Sequence, residues 1–209
     1  DEYFSLAREL ENSEIKILNP DQIFGDGYLV LDDYKNAHER YSKLLSDSDT
    51  ELTGLQKLKV YSIYRGDYKE YINYSDRLLQ KYIQEDKRVS YVNELASRAF
   101  TLVFTFDKKK ESNRIIEEIK SIFNGEEDIQ FDNLSIFRRI KLLDAYAHNG
   151  LWDEIDESKL ESIQFSDINQ KRYTALKYQL DGDFKSSIKL IETSITNMNV
   201  ALQYFYYFH

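Results

Sequence analysis

The sequence predicts an all-α protein of about five consecutive helix pairs, and three observations lead there. The 209 residues include only one Pro and seven Gly, the residues that most strongly interrupt helices. Apolar positions recur at intervals of three, four and seven, the period of one helix face. A short turn followed by an aromatic side chain recurs along the chain, with spacings of 34 residues (Tyr34 to Tyr68) and 32 residues (Gly150 to Gly182).

The turns align residue by residue. Asp32-Asp33-Tyr34-Lys35 matches Gly66-Asp67-Tyr68-Lys69, and Gly182-Asp183-Phe184-Lys185 is a third copy. Gly150-Leu151-Trp152-Asp153 is a weaker one. In each, a Gly or Asp accepts the tight backbone, and the aromatic two positions later is expected to plug the seam between helices.

Element by element, helices are expected over Leu52 to Tyr64, Ile136 to His148 and Ile168 to Leu180, each ahead of a turn. Second helices follow the turns, with Ile72, Leu78 and Leu79, or Ile188, Ile191 and Ile195, on their apolar faces. A third pair spans Arg88 to Phe106 and Glu111 to Phe123, with a turn at Lys108-Lys109-Lys110 and a longer connection from Gly125 to Asp132 behind it. The fourth pair's second helix is short and acidic, from Asp153 to Ile163. At Gly25-Asp26-Gly27 two readings compete, a helix running through or a loop, because two nearby glycines weaken a helix.

From Leu18 to Glu51 the chain resembles the tetratricopeptide repeat. Phe24, Gly25 and Tyr28 in the first helix, Tyr34 at the turn, and Ala37 and Tyr41 in the second stand where that family places apolar, small and aromatic residues. Leu44 departs from the usual Ala, and Tyr71 stands where the second unit should have a small residue. The resemblance implies a right-handed superhelical solenoid of about five TPR-like helix pairs. It divides the chain into an N-terminal helix over 1–17, repeats over 18–197 and an aromatic C-terminal helix over 198–209.

Composition narrows the function. A net charge of −9, from 28 Lys and Arg against 37 Asp and Glu, opposes binding to phosphate backbones, so no direct nucleic-acid binding by this segment is expected. No stretch approaches 18 uncharged apolar residues, so no membrane span is expected either. The absence of Cys removes disulfides and thiolate metal sites and fits a reducing, cytoplasmic setting. Three His (38, 148 and 209) and no HExxH, GxSxG or P-loop pattern leave little for catalysis. No enzyme activity, cofactor or metal is therefore expected. Trp152, the single Trp, reads as a packing plug.

An acidic, Tyr- and Asn-rich repeat stack is also similar to the ligand-binding part of bacterial peptide-pheromone receptors of the Rgg, PlcR, Rap and arbitrium-receptor type. That resemblance implies a peptide or protein partner in a concave groove lined by the first helix of each pair. The register assigns to the groove Gln56, Val60 and Tyr64 in the second pair, and Arg98, Thr101 and Phe104 in the third. It adds Ile140, Asp144 and His148 in the fourth, and Asn169, Arg172, Leu176 and Gln179 in the fifth. The alternative is a scaffold that forms a homodimer through the C-terminal aromatic segment, with Leu202, Phe205, Tyr206 and Phe208 at the interface. A capping role for that segment, and further chain beyond it, fit the same pattern. The sequence at Asp1, without a Met, is read as following another domain or a removed segment.

Overall fold

The computed structural model describes Ser5 and residues 19–126, 128–163 and 166–195, the side chains at 166–169 and 193–195 excepted. The expected N-terminal helix, the aromatic C-terminal segment with Leu202, Phe205, Tyr206 and Phe208, and the Asn169 side chain lie outside the described residues. The chain divides into two compact units, 1–94 and 95–209. Among the described residues every regular element is helical, so the fold is all-α.

In the first unit, α1 (Pro20–Val30) and α2 (Tyr34–Lys43) are followed by a 3-10 turn at Leu44–Ser46, then α3 (Glu51–Tyr64) and α4 (Tyr68–Gln84). Helix α1 starts where Asn19 accepts the Asp21 N–H at 2.9 Å, with Pro20 in the first helical position. A proline fits there because its missing N–H would find no helical partner. The helix passes through Gly25-Asp26-Gly27. Packing decides between the two readings of that segment: a Cβ on Gly25 would lie 2.3 Å from the Tyr41 ring, so glycine is what lets α2 seat its tyrosine against α1. The Tyr41 hydroxyl then donates to Asp26 at 2.7 Å. The core centres on Ala37, Tyr41, Leu44, Leu55, Leu58 and Leu78.

Helix α5 (Arg88–Phe104) leads into the second unit, which holds α6 (Lys109–Gly125), a 3-10 turn at Phe131–Asn133 and α7 (Ile136–Asn149). Another 3-10 turn at Trp152–Glu154 precedes α8 (Glu157–Glu161), α9 (Ser166–Leu180) and α10 (Phe184–Ile195). The helix expected without interruption from Asp153 to Ile163 is broken. Asp156 is extended (φ −85°, ψ 167°) and its side chain accepts the Lys159 N–H at 2.9 Å, which starts a new short helix. The Gly125 to Asp132 connection carries its own anchors, with Ile129 and Phe131 buried within it and Leu134 just after it. Arg139 secures it by donating to the carbonyls of Leu134 (2.9 Å), Ser162 (2.7 Å) and Asp132. In the interior, Asn149 Nδ2 donates to Ser112 Oγ, which donates to the Ala99 carbonyl, each at 2.8 Å.

The turn expected at Lys108-Lys109-Lys110 lies earlier, around Asp107 (φ 53°), because Lys109 and Lys110 already belong to α6, and there Lys108 donates to the Leu102 carbonyl six back. The other turns share one mechanism. Asp32, Gly66, Asp86, Gly150 and Gly182 all take positive φ, 54–82°, the left-handed conformation that ends helices. Each donates its N–H to the carbonyl three residues back. The next residue donates to the carbonyl five back, as in Asp33 to Tyr28 (2.9 Å), Asp67 to Ser62 (2.9 Å) and Asp183 to Tyr178 (2.8 Å). The same three aspartates cap the following helix by accepting from Asn36, Glu70 and Ser186. Hydrogen bonds from Ser186 hold the Asp183 carboxyl below its ordinary value. The aromatic after the turn is less uniform: Tyr34, Tyr68 and Trp152 are half-buried, whereas Phe184 is 64% exposed and fills no seam among the described residues.

Candidate functional site

In the second unit, side chains from α5, α7 and α9 converge. Phe104, 60% exposed at the end of α5, stacks on Phe100 one turn earlier, with ring centres 5.0 Å apart and planes inclined by 15°. Phe104 also meets His148 on α7 in an edge-to-face contact, with ring centres 5.4 Å apart. One turn back along α7, Asp144 is 5% exposed and pairs with Arg172 on α9. A single guanidinium nitrogen, Nη2, lies 2.9 Å from Oδ1 and 3.0 Å from Oδ2. Only Oδ2 receives a well-directed hydrogen bond, so Oδ1 is a buried acceptor to which nothing among the described residues donates.

The electrostatics follow from this packing. Burial pushes the His148 imidazole below its ordinary value; Asp144 opposes that shift and Arg172 adds to it. The ring is therefore neutral at pH 7 and offers one donor and one acceptor. Tyr173, beside Arg172 on α9, is buried, with its hydroxyl 3.5 Å from the Ile140 carbonyl. Burial first, and then the Asp144 charge, drive its phenol well above the usual range.

The groove residues assigned from the sequence take different places. Phe104, His148, Asp144 and Arg172 come together as described. Ile140 and Leu176 are half-buried and Gln179 is exposed. Thr101 is buried, its hydroxyl turned back on the Ser97 carbonyl at 2.9 Å, and Arg98 is half-buried. In the first unit, Gln56, Val60 and Tyr64 form an exposed stripe along α3, where Gln56 Nε2 donates to the Tyr82 hydroxyl at 3.1 Å.

Four neighbours of the cluster went unassigned in the sequence. Arg138 Nη1 and Lys141 Nζ reach the Ser97 hydroxyl at 3.5 and 3.3 Å, and Lys141 also lies 5.8 Å from the centre of the Phe100 ring. The signal was spacing. Ser97, Phe100 and Phe104 fall at i, i+3 and i+7 on one helix, as Lys141, Asp144 and His148 do on another, so each set shares a face. Among the described residues no group of three or more His, Cys, Asp or Glu is arranged to hold a metal, and no helix is long and apolar enough to cross a membrane. Comparisons with protein-family models, with curated proteins and with solved structures found no match.

Proposed function

We propose that this chain is a partner-holding helical repeat: a right-handed, TPR-like solenoid that takes a short peptide on the face formed by α5, α7 and α9. The observation that carries the reading is the convergence of Phe104, His148, Asp144 and Arg172 from three helices of the second unit. Exposed Phe104, stacked on half-buried Phe100, offers a place for an apolar side chain of the peptide. A neutral imidazole and a guanidinium beside it can hydrogen-bond an extended backbone. In this reading the protein is the sensor part of a bacterial regulator, and occupancy of the face acts on a DNA-binding or protein-binding segment elsewhere.

Selection of random linear peptides displayed on phage tests it. The wild-type chain should enrich a family of related sequences with an apolar or aromatic anchor. Phe104→Ala and Arg172→Gln, each checked for an unchanged helical circular-dichroism spectrum, should bind those peptides at least about tenfold more weakly. Equal binding by both variants, or no enrichment by the wild type, overturns the proposal.

A second reading, a scaffold without a peptide ligand, is favoured by α10. Phe184, Ile188 and Ile191 are exposed there at i, i+4 and i+7, an apolar face of the kind that seeks a partner. Sedimentation of the chain with and without residues 198–209 decides it: a concentration-dependent dimer lost on truncation supports this reading, and a monomer in both cases removes it.

A further inference from the structure

The first unit contains a pocket of about 430 Å³ between α2, α3 and α4, within the size range of small-molecule sites. Its aromatic walls are His38 and Tyr61, tilted against each other at 5.4 Å, with Tyr74 alongside. Tyr61 is held from behind by the edge of Tyr34 at 6.1 Å and packs on the core of the unit, so the wall is fixed. Tyr74 is buried, and burial, reinforced by the Glu70 carboxylate, pushes its phenol up to about 12. It therefore stays a neutral donor at any physiological pH.

The rim distinguishes this pocket from an ordinary crevice. Lys35 and Arg65 stand on it beside Glu39 and Glu70, with Asp67, engaged in capping α4, as a third anion on the lining. Among the described residues none of the first four lies within 4 Å of an opposite charge; Arg65 instead covers the Tyr34 ring at 5.7 Å, and the Glu70 carboxylate faces the Tyr74 phenol closely enough to raise it. Elsewhere on the same helices charges do pair. Arg40 meets Asp21 at 2.9 Å and Lys81 meets Glu51 at 2.7 Å. Charges of both signs held apart around an aromatic chamber complement a ligand that carries both signs and a ring.

The geometry points to a binding site for a small aromatic zwitterion, an aromatic amino acid or a dipeptide containing one. Its carboxylate meets Arg65 and Lys35, its ammonium meets Glu70 and Glu39, and its ring lies on His38 and Tyr61. The site belongs to the first unit alone and does not depend on the peptide-binding reading of the second.

Isothermal titration of the whole chain with L-phenylalanine and with L-alanyl-L-phenylalanine tests it, and the tighter of the two identifies the source. Three further probes each lack one feature: 3-phenylpropionate has no ammonium, phenethylamine has no carboxylate, and L-alanine has no ring. At least one zwitterion should bind with a dissociation constant of about 1 mM or tighter, and each deletion probe at least about tenfold more weakly. Arg65→Glu and Glu70→Gln, both at exposed positions, should abolish binding without moving the melting temperature, whereas Arg138→Glu in the second unit should leave it unchanged. Failure of both zwitterions to bind, 3-phenylpropionate or phenethylamine binding as tightly as the zwitterion, or undiminished binding by Arg65→Glu would each overturn the assignment.

Discussion

Lys59 Nζ lies 2.6 Å from Glu94 Oε2, with both side chains buried, and the other oxygen of Glu94 accepts from the Ser75 hydroxyl at 3.0 Å. One carboxylate thereby ties α3, α4 and the start of α5 together inside the first unit. Removing one member of a buried pair strands the other charge, so Glu94→Gln or Lys59→Met alone should each lower unfolding free energy by about 3–5 kcal/mol. The double replacement Lys59→Met with Glu94→Leu should recover most of that loss. Urea denaturation of the three variants measures it, and a double variant no more stable than the singles would refute this account.

The contact between Gly25 and Tyr41 makes a different demand. Gly25→Ala must displace an aromatic ring in a packed core and should cost about 1–3 kcal/mol. At Gly66 nothing lies within 4 Å of a new Cβ but φ is +64°, so Gly66→Ala should cost about 1–2 kcal/mol through backbone strain alone. Tyr41→Leu separates the two cases. It should relieve much of the penalty at Gly25 and none at Gly66, as read from thermal melts of the double variants.

Two neighbouring arginines on α7 should behave oppositely. Arg139 donates to the Asp132 and Leu134 carbonyls ahead of α7 and to the Ser162 carbonyl at the end of α8, and Arg139→Ala should cost about 3 kcal/mol because charge-assisted bonds are lost and acceptors stranded. Among the described residues Arg138 reaches only a serine hydroxyl, at 3.5 Å, so Arg138→Ala should stay within about 0.5 kcal/mol of wild type. Guanidinium titrations showing equal losses would contradict this division of labour.

His148 gives the second unit a pH dependence of definite sign. Its folded-state pKa is lowered from 6.5, chiefly by burial, so the unfolded chain binds the proton more readily. The stabilising contribution is complete above 6.5 and is lost as pH falls through the window between 6.5 and the lower folded value. A histidine NMR titration should place the His148 midpoint below 6.5, and His148→Gln should flatten the melting temperature over that window.

The turns were legible because their chemistry is local: an Asp or Gly able to adopt positive φ, then an aspartate that caps the next helix, can be read from adjacent letters. Gly25 was legible as a small residue, although two glycines in three positions left a loop open until the Tyr41 ring explained one of them. Lys59 and Glu94 were not legible. They stand 35 positions apart, and nothing in either helix announces that a charged face turns inward. The Phe104–His148 and Asp144–Arg172 meetings were half-visible, since the register put the right faces forward, but which side chains touch depends on how far each helix is rotated. Ser97 and Lys141 were missed for that reason, each one position from a residue that was assigned. The broken helix after Trp152 was missed because Asp156 reads equally as an exposed acidic residue and as a cap.

Each two-residue turn closes entirely on its own chain: its hydrogen bonds run back to the helix just ended or forward to the helix just begun. A joint that borrows nothing from its neighbours can be copied or excised with the helices it connects. The chain is thus punctuated by ready-made splice points, at which duplication can lengthen it and point substitutions can then diversify the faces between them.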